Sequence, residues 1–227
     1  MVFVEGGSFT MGCSKDQSDC DGDENPHKVT VDDFYIGKYE VTQQQWQDEM
    51  RTNPSVFKDC SNCPVENVSW DDVQEFIHKL NVKTGDNYRL PSETEWEYAA
   101  RGGKQSHGYK YAGSNEIDLV GWYRNESGFK THPIGQKSAN ELGLFDMSGN
   151  VWEWCSDLYG YYSSVDKKNP NQVDKGVKRR VYRGGGWYSP PKHCRVSNRN
   201  SEPHNYSECT IGFRLAKSKA GNSDSFK

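Results

Sequence analysis

The chain has 227 residues, enough for one large domain or two small ones, and its formal net charge of −4 comes with no basic run, which excludes nucleic acid as an expected partner. No apolar stretch approaches membrane-spanning length. Hydrophobic residues make up 33%, against 22 Gly, 7 Trp and 13 Tyr, which argues against a helical bundle and for irregular backbone anchored by aromatic side chains.

Residues 3–12 alternate and then turn, predicting an N-terminal strand and hairpin. Residues 16–24 form an acidic loop. Gly22 is out of register for an EF-hand and Thr30 stands where the closing Glu would be, so the loop reads as solvated, with weak cation binding as the alternative. Residues 28–36 alternate and predict one strand. Thr42 can cap a short helix carrying Trp46 and Met50. Ser69 and Asp72 have capping-box spacing, and Val73, Phe76, Ile77 and Leu80 follow at i, i+3, i+4 and i+7 until Gly85 ends the run. Ser92 and Glu95 make a second capping box, for a helix with Trp96, Ala99 and Ala100 that stops at Gly102 and Gly103. Residues 103–142 are rich in Gly, Asn and Ser and read mostly as loop. No linker divides the chain, so residues 1–227 are expected to be one α+β domain with two main helices and small antiparallel sheets.

The seven cysteines are Cys13, Cys20, Cys60, Cys63, Cys155, Cys194 and Cys209. Cys60 and Cys63 have C-x-x-C spacing, but no second such pair exists to complete a zinc site. They form a local disulfide or remain two free thiols, and Cys13 and Cys20 could also pair. This usage suits an exported protein. Met1–Val4 is too short for an export signal, so such a segment is expected to have preceded this sequence. The six histidines show no H-x-x-x-H spacing.

The stretch 180–216 differs from the rest. Its ends, 180–183 and 211–216, alternate like half-buried strands. Between them, 188–210 holds Tyr, Ser, Asn and His with one aliphatic residue, Val196, and keeps no period. That is the composition of a binding loop, in which Tyr supplies area at low entropy cost and Ser and Asn supply adaptable hydrogen bonds. An irregular solvated loop is the alternative.

Several ordered segments resemble the formylglycine-generating-enzyme family, also called the sulfatase-modifying-factor domain. They are F-V-E-G-G-S-F-T-M-G at 3–12, F-Y-I-G-K-Y-E-V-T at 34–42, P-V-E-N-V-S-W at 64–70, R-L-P-S-E-T-E-W-E-Y-A-A-R at 89–101, G-L-F-D-M-S-G-N-V-W-E-W at 143–154, R-V-Y-R-G-G-G-W at 180–187 and G-F-R-L-A at 212–216. The resemblance implies a variant of the C-type lectin fold with its site near the C-terminus. Enzymes of the family oxidise a sulfatase cysteine with two copper-binding cysteines. Here Cys194 matches the second and Ser189 stands at the first. One thiolate with a neutral hydroxyl is a poor Cu(I) site, so the resemblance carries the fold without the copper chemistry. It also implies a calcium site of Asp146 and Glu153 carboxylates with the Gly149 and Val151 carbonyls. The alternative is that Asp146 caps a turn and Glu153 pairs with an arginine.

The tail further resembles the variable region of diversity-generating retroelement target proteins that use this form of the lectin fold, most like their spirochaete members. In those systems adenines, chiefly of Asn codons, are randomised. Tyr188, Ser189, Pro190, His193, Asn198, Asn200, Ser201, His204, Asn205, Tyr206, Ser207, Cys209 and Thr210 are permitted outcomes, whereas Trp187, Lys192, Glu202 and Glu208 are not. The resemblance implies a non-catalytic, surface-displayed lipoprotein with no required cofactor, acting as a monomer on a protein or other macromolecular ligand, and meeting the membrane only through a lipid anchor. A copper-dependent oxidase is the alternative. Tyr182, Tyr188, Ser189, Pro190, His193, Asn198, Asn200, Ser201, His204, Asn205, Tyr206, Ser207 and Thr210 are the expected binding face. Trp187, Phe213 and Leu215 are expected anchors, and Arg183, Arg195, Arg199 and Arg214 structural partners of carbonyls or acids. A calcium-dependent sugar site is disfavoured because Glu202-Pro203-His204 lacks the closing Asn or Asp.

Overall fold

The computed structural model describes residues 1–13, 17–162, 167–168 and 178–219. Asp16, the first residue of the expected acidic loop, lies outside them. Among the described residues, three small sheets and four α-helices pack around three apolar clusters.

The three helix starts read from capping residues are present. Helix α1 spans Gln43–Met50 behind a complete Thr42–Gln45 box, α2 spans Trp70–Thr84 behind Ser69–Asp72, and α3 spans Glu93–Ala100 behind Ser92–Glu95. Gly85 ends α2 in the left-handed conformation, φ 73°. Val73, Phe76 and Ile77 of α2 are buried against Trp46 of α1 and against Phe213, with the Trp46 and Phe76 rings stacked at 5.3 Å. A fourth helix, α4 (Ile117–Val120), interrupts the expected loop region.

Strand β1 (Val2–Val4) pairs not with β2 (Gly7–Met11) but with β4 (Phe34–Ile36), while β2 pairs with β3 (His27–Val31). The expected N-terminal hairpin is therefore a crossing between two sheets. The single strand expected over 28–36 breaks at Asp32 and Asp33 for the same reason. Asp33 Oδ1 accepts the Gly6 N–H at 2.8 Å, and a Cβ on Gly6 would lie 2.4 Å from the Val31 carbonyl oxygen. The first sheet has order β1-β4-β11-β5, with β5 at Tyr88–Arg89 and β11 at Ala216–Ser218.

The second sheet carries the tail. Its order is β10-β6-β8-β9, with β6 at Trp152–Leu158, β8 at Arg179–Arg183, β9 at Arg199–Pro203 and β10 at Ile211–Gly212. The irregular middle of the tail thus contains a strand, β9, in five-residue antiparallel register with β8. The strand expected over 211–216 is split between two sheets, with Phe213 and Arg214 buried at the crossing. Pairing is not antiparallel throughout: β10 runs parallel to β6, and β3 parallel to β7 (Lys167–Lys168).

Candidate binding site

The tail leaves β8 through Gly184, Gly185 and Gly186. Gly184 and Gly185 have φ of 97° and 75°, and a Cβ on Gly185 would sit 2.5 Å from the Cys194 sulfur. Trp187 then turns inward, donating its indole N–H to the Cys209 carbonyl at 2.8 Å and meeting Phe57 edge to face. Phe213 is also buried and Leu215 partly so.

Four buried arginines hold the backbone beneath the surface. Arg183 pairs with Glu97 and donates to the carbonyls of Val196, Ser197 and Asn198. Arg195 grips Glu24 with two hydrogen bonds of 2.6 and 2.7 Å. Arg199 does the same to Glu93, at 2.8 and 2.7 Å. Arg214 grips Glu153, 2.6 Å to each oxygen. All four make the structural pairings their charge and geometry suit. Burial opposes ionisation of Glu24, but the Arg195 hydrogen bonds, helped by Ser197 and Asn198, outweigh it and hold the carboxyl at about 2.

Of the thirteen expected face residues, Tyr188, Asn200, His204, Asn205, Tyr206 and Ser207 are exposed, and Pro190, His193 and Thr210 are half-buried. Four are inside. Tyr182 stands edge-on to both Trp152 and Trp154, 5.0 and 5.3 Å between ring centres, because its strand position faces the core. Ser189 accepts the Gly186 N–H at 3.0 Å, and Asn198 donates to Asp21 and Glu24. Ser201 lies under Arg179, whose Nε donates to its hydroxyl at 3.1 Å. These four shape the loop from below. The exposed set falls into two groups, one around Tyr188 and one from Asn200 to Ser207. The second group is tethered by Asp71, which accepts from the His204 ring at 2.6 Å and donates its N–H to the His204 carbonyl.

Cysteines 13 and 20 form one disulfide and cysteines 60 and 63 another, leaving Cys155, Cys194 and Cys209 free. Cys194 is enclosed by Tyr111, Ile117, Val120 and Tyr123, and burial pushes its thiol far above the usual range. Its sulfur faces the Pro190 carbonyl at 3.8 Å, and Ser189 offers only a hydroxyl. A neutral, buried thiol without a second thiol does not fit Cu(I).

The 143–154 segment gathers three buried carboxylates about one guanidinium. Glu153 is occupied by Arg214 and by the Trp96 indole N–H at 2.7 Å. Asp146, with φ 57°, accepts the Gly135 N–H on Oδ2, while its buried Oδ1 has no hydrogen-bond partner among the described residues. Burial raises Asp146 to about 6. Glu40, which sequence reasoning missed although it lies in the K-Y-E-V-T segment, accepts from Asn150 and from the Val151 N–H. Burial, then Asp146 and Glu153, push its carboxyl well up. The spare buried oxygen on Asp146 and the excess of buried acid would suit a hard cation in the expected set of Asp146, Glu153 and the Gly149 and Val151 carbonyls, but among the described residues no group of three or more His, Cys, Asp or Glu is placed to hold a metal ion. Glu153, committed to Arg214, would be the weakest donor of that set.

The Sulfatase-modifying factor enzyme 1-like domain matches residues 1–219. Chaperone protein LppX of Paenibacillus barcinonensis is 35% identical over 96% of this chain and 89% of its own length. The formylglycine-generating enzyme of Mus musculus is 28% identical over 95% of this chain and 74% of its own. Serine/threonine-protein kinase Pkn1 of Chlamydia trachomatis is 32% identical, but this chain spans 38% of that protein. Among solved structures, Treponema denticola variable protein 1 superposes with a TM-score of 0.87 at 29% identity, covering 96% of this chain and 95% of that one. The fold is the formylglycine-generating-enzyme-like variant of the C-type lectin fold, and the chain belongs to the sulfatase-modifying factor enzyme 1-like family.

Proposed function

We propose that this protein is a non-catalytic, surface-displayed binding protein whose C-terminal face is diversified by a retroelement. The observation that carries the reading is the division of labour within the tail. Its backbone is fixed by buried arginines and by Trp187, while the side chains of Tyr188, Asn200 and the run from His204 to Ser207 are exposed. A held backbone lowers the ordering cost of binding and tolerates many side chains at the exposed positions. The likeness to Treponema denticola variable protein 1 supports the same reading. The two disulfides suit an oxidising compartment, in keeping with a lipid-anchored protein outside the cell. The ligand is a protein or other macromolecule, met by a monomer.

Likeness to the mouse formylglycine-generating enzyme favours copper-dependent oxidation as the second reading. Ser189 and the neutral Cys194 weigh against it. Calcium bound by Asp146 with the Gly149 and Val151 carbonyls, and with Glu153 in the lesser part, would be structural.

Sequencing around the gene tests the main reading. A nearby reverse transcriptase and a near-copy of the 180–216 coding segment, differing at template adenines under the exposed positions, are expected. A locus without such a repeat overturns it.

A further inference from the structure

Beside the tail, the loop 122–132 is bolted to the turn after the glycines. The Arg124 N–H donates to the Ser189 carbonyl at 3.1 Å and Arg124 Nε to the Tyr188 carbonyl at 3.0 Å. Ser127 donates to the Trp187 carbonyl at 2.7 Å, and the same hydroxyl oxygen accepts the Phe129 N–H. This bracing holds Gly128 and Phe129 in consecutive left-handed conformations, φ 60° and 61°. A bulky residue there is uncommon and held at a cost. The result is an aromatic ring aimed at solvent: Phe129 is 60% exposed, next to the 49% exposed Tyr188, their centroids 6.0 Å apart. The Arg124 guanidinium lies 4.7 Å from the Tyr188 ring centre, and among the described residues no carboxylate is in ion-pair range of it.

We propose that Arg124, Phe129 and Tyr188 form a binding subsite, fixed by two residues outside the diversified tail, that takes a carboxylate-bearing aromatic or apolar segment of a protein ligand. This rests on the binding reading above and names the chemistry of its partner. Charge complementarity selects the carboxylate. Among the described residues Arg124 has unused donors, Lys130 is exposed one residue beyond Phe129, and burial first, then Lys192, Arg195 and Arg124 against an opposing Asp21, oppose protonation of the half-buried His193. The two exposed rings supply apolar area, and stacking on Tyr188 pre-orients the guanidinium. Because Arg124 and Phe129 lie outside 180–216, their part of the subsite would persist as tail side chains change, while Tyr188, itself a tail position, would vary with them.

The test titrates the intact chain, observed by amide and side-chain nitrogen NMR, with 3-indolepropionate and separately with tryptamine, the same ring bearing an ammonium. Saturable shifts of the Arg124 Nε–H and Trp187 indole signals with the carboxylate are expected, with tryptamine weaker by about tenfold or more. Arg124→Ala and Phe129→Gly should each abolish saturation at the same concentrations. Phe129→Gly suits the left-handed backbone and should keep or raise the unfolding temperature, which separates a binding role from a structural one. No saturable response, equal response to tryptamine, or unchanged binding in both variants overturns the subsite. Failure here in a chain whose locus carries the retroelement repeat sinks the subsite alone. Binding here in a chain without the repeat leaves the subsite standing and sinks diversification.

Discussion

Arg195 and Glu24, 171 residues apart, meet in a buried ion pair with two parallel hydrogen bonds of 2.6 and 2.7 Å. Through it the acidic loop, which composition alone makes a solvated feature, becomes the floor of the tail. Asp21 from the same loop accepts from Asn198, and the Cys13–Cys20 disulfide closes the loop behind it.

Breaking one side of this pair leaves an uncompensated buried charge, so Arg195→Ala should cost about 3–5 kcal/mol in denaturant unfolding, whereas replacing both partners with apolar residues should cost much less. The pair also sets an acid limit. Glu24 titrates near 2 in the folded chain against 4.5 ordinarily, so its contribution is present above 4.5 and lost as pH falls from 4.5 towards 2. That contribution is about 3 kcal/mol. Unfolding curves of wild type and Glu24→Gln that stay parallel from pH 6 to pH 2.5 would rule it out.

Glu66 gives the opposite slope. It is buried beside the Phe57 N–H, which it accepts at 2.9 Å, while its other oxygen has no partner among the described residues. Burial raises its carboxyl to about 7. Stability should therefore be full below 4.5, fall as the unfolded chain alone releases its proton between 4.5 and 7, and level off above. Glu66→Gln should flatten that fall and be more stable than wild type at pH 8 by about 2–3 kcal/mol. A variant less stable than wild type at pH 8 contradicts the assignment.

Tyr182 separates framework from face. Between Trp152 and Trp154 its truncation to Ala should cost about 3–5 kcal/mol. Tyr206→Ala, at an exposed ring, should stay within about 0.5 kcal/mol. Equal losses by thermal unfolding would remove the distinction.

What could be read from sequence followed the range of the forces involved. The caps at Thr42, Ser69 and Ser92 act within one turn, and all three helix starts were legible. Strand partners were not, because Glu5-Gly6 and Asp32-Asp33 switch sheets through contacts that span 27 residues. At the site, Tyr, Ser and Asn marked the right stretch, but composition could not separate Tyr188 from Tyr182. Tyr182 sits in β8, where Val181, Tyr182 and Arg183 are all buried, while Tyr188 lies in the turn after the glycines, and β9 (Arg199–Pro203) was hidden by its polar side chains. Phe129 carried no signal at all. Its exposure follows from a backbone conformation imposed by Ser127 and Trp187.

Copper separates the two functional readings. With Ser189 at the first position and Cys194 buried as a neutral thiol, the wild-type chain with both disulfides intact should yield Cu(I) to a competing chelator without measurable retention. Stoichiometric retention of one copper would revive the oxidase reading, and a peptide-oxidation assay would then follow.

Calcium should stabilise the chain through Asp146. Its buried oxygen, without a partner among the described residues, and the surrounding acid give a cation something to neutralise, as a like-sized neutral ligand would not. At a hundredfold excess over its dissociation constant, bound calcium adds about 2.7 kcal/mol to folding. For a domain of this size that is roughly 5–10 °C in unfolding temperature. Chelation should remove the gain, and Asp146→Ala should lack it. Identical midpoints in calcium and in chelator would leave Asp146 as a turn residue and Glu153 as the partner of Arg214 alone.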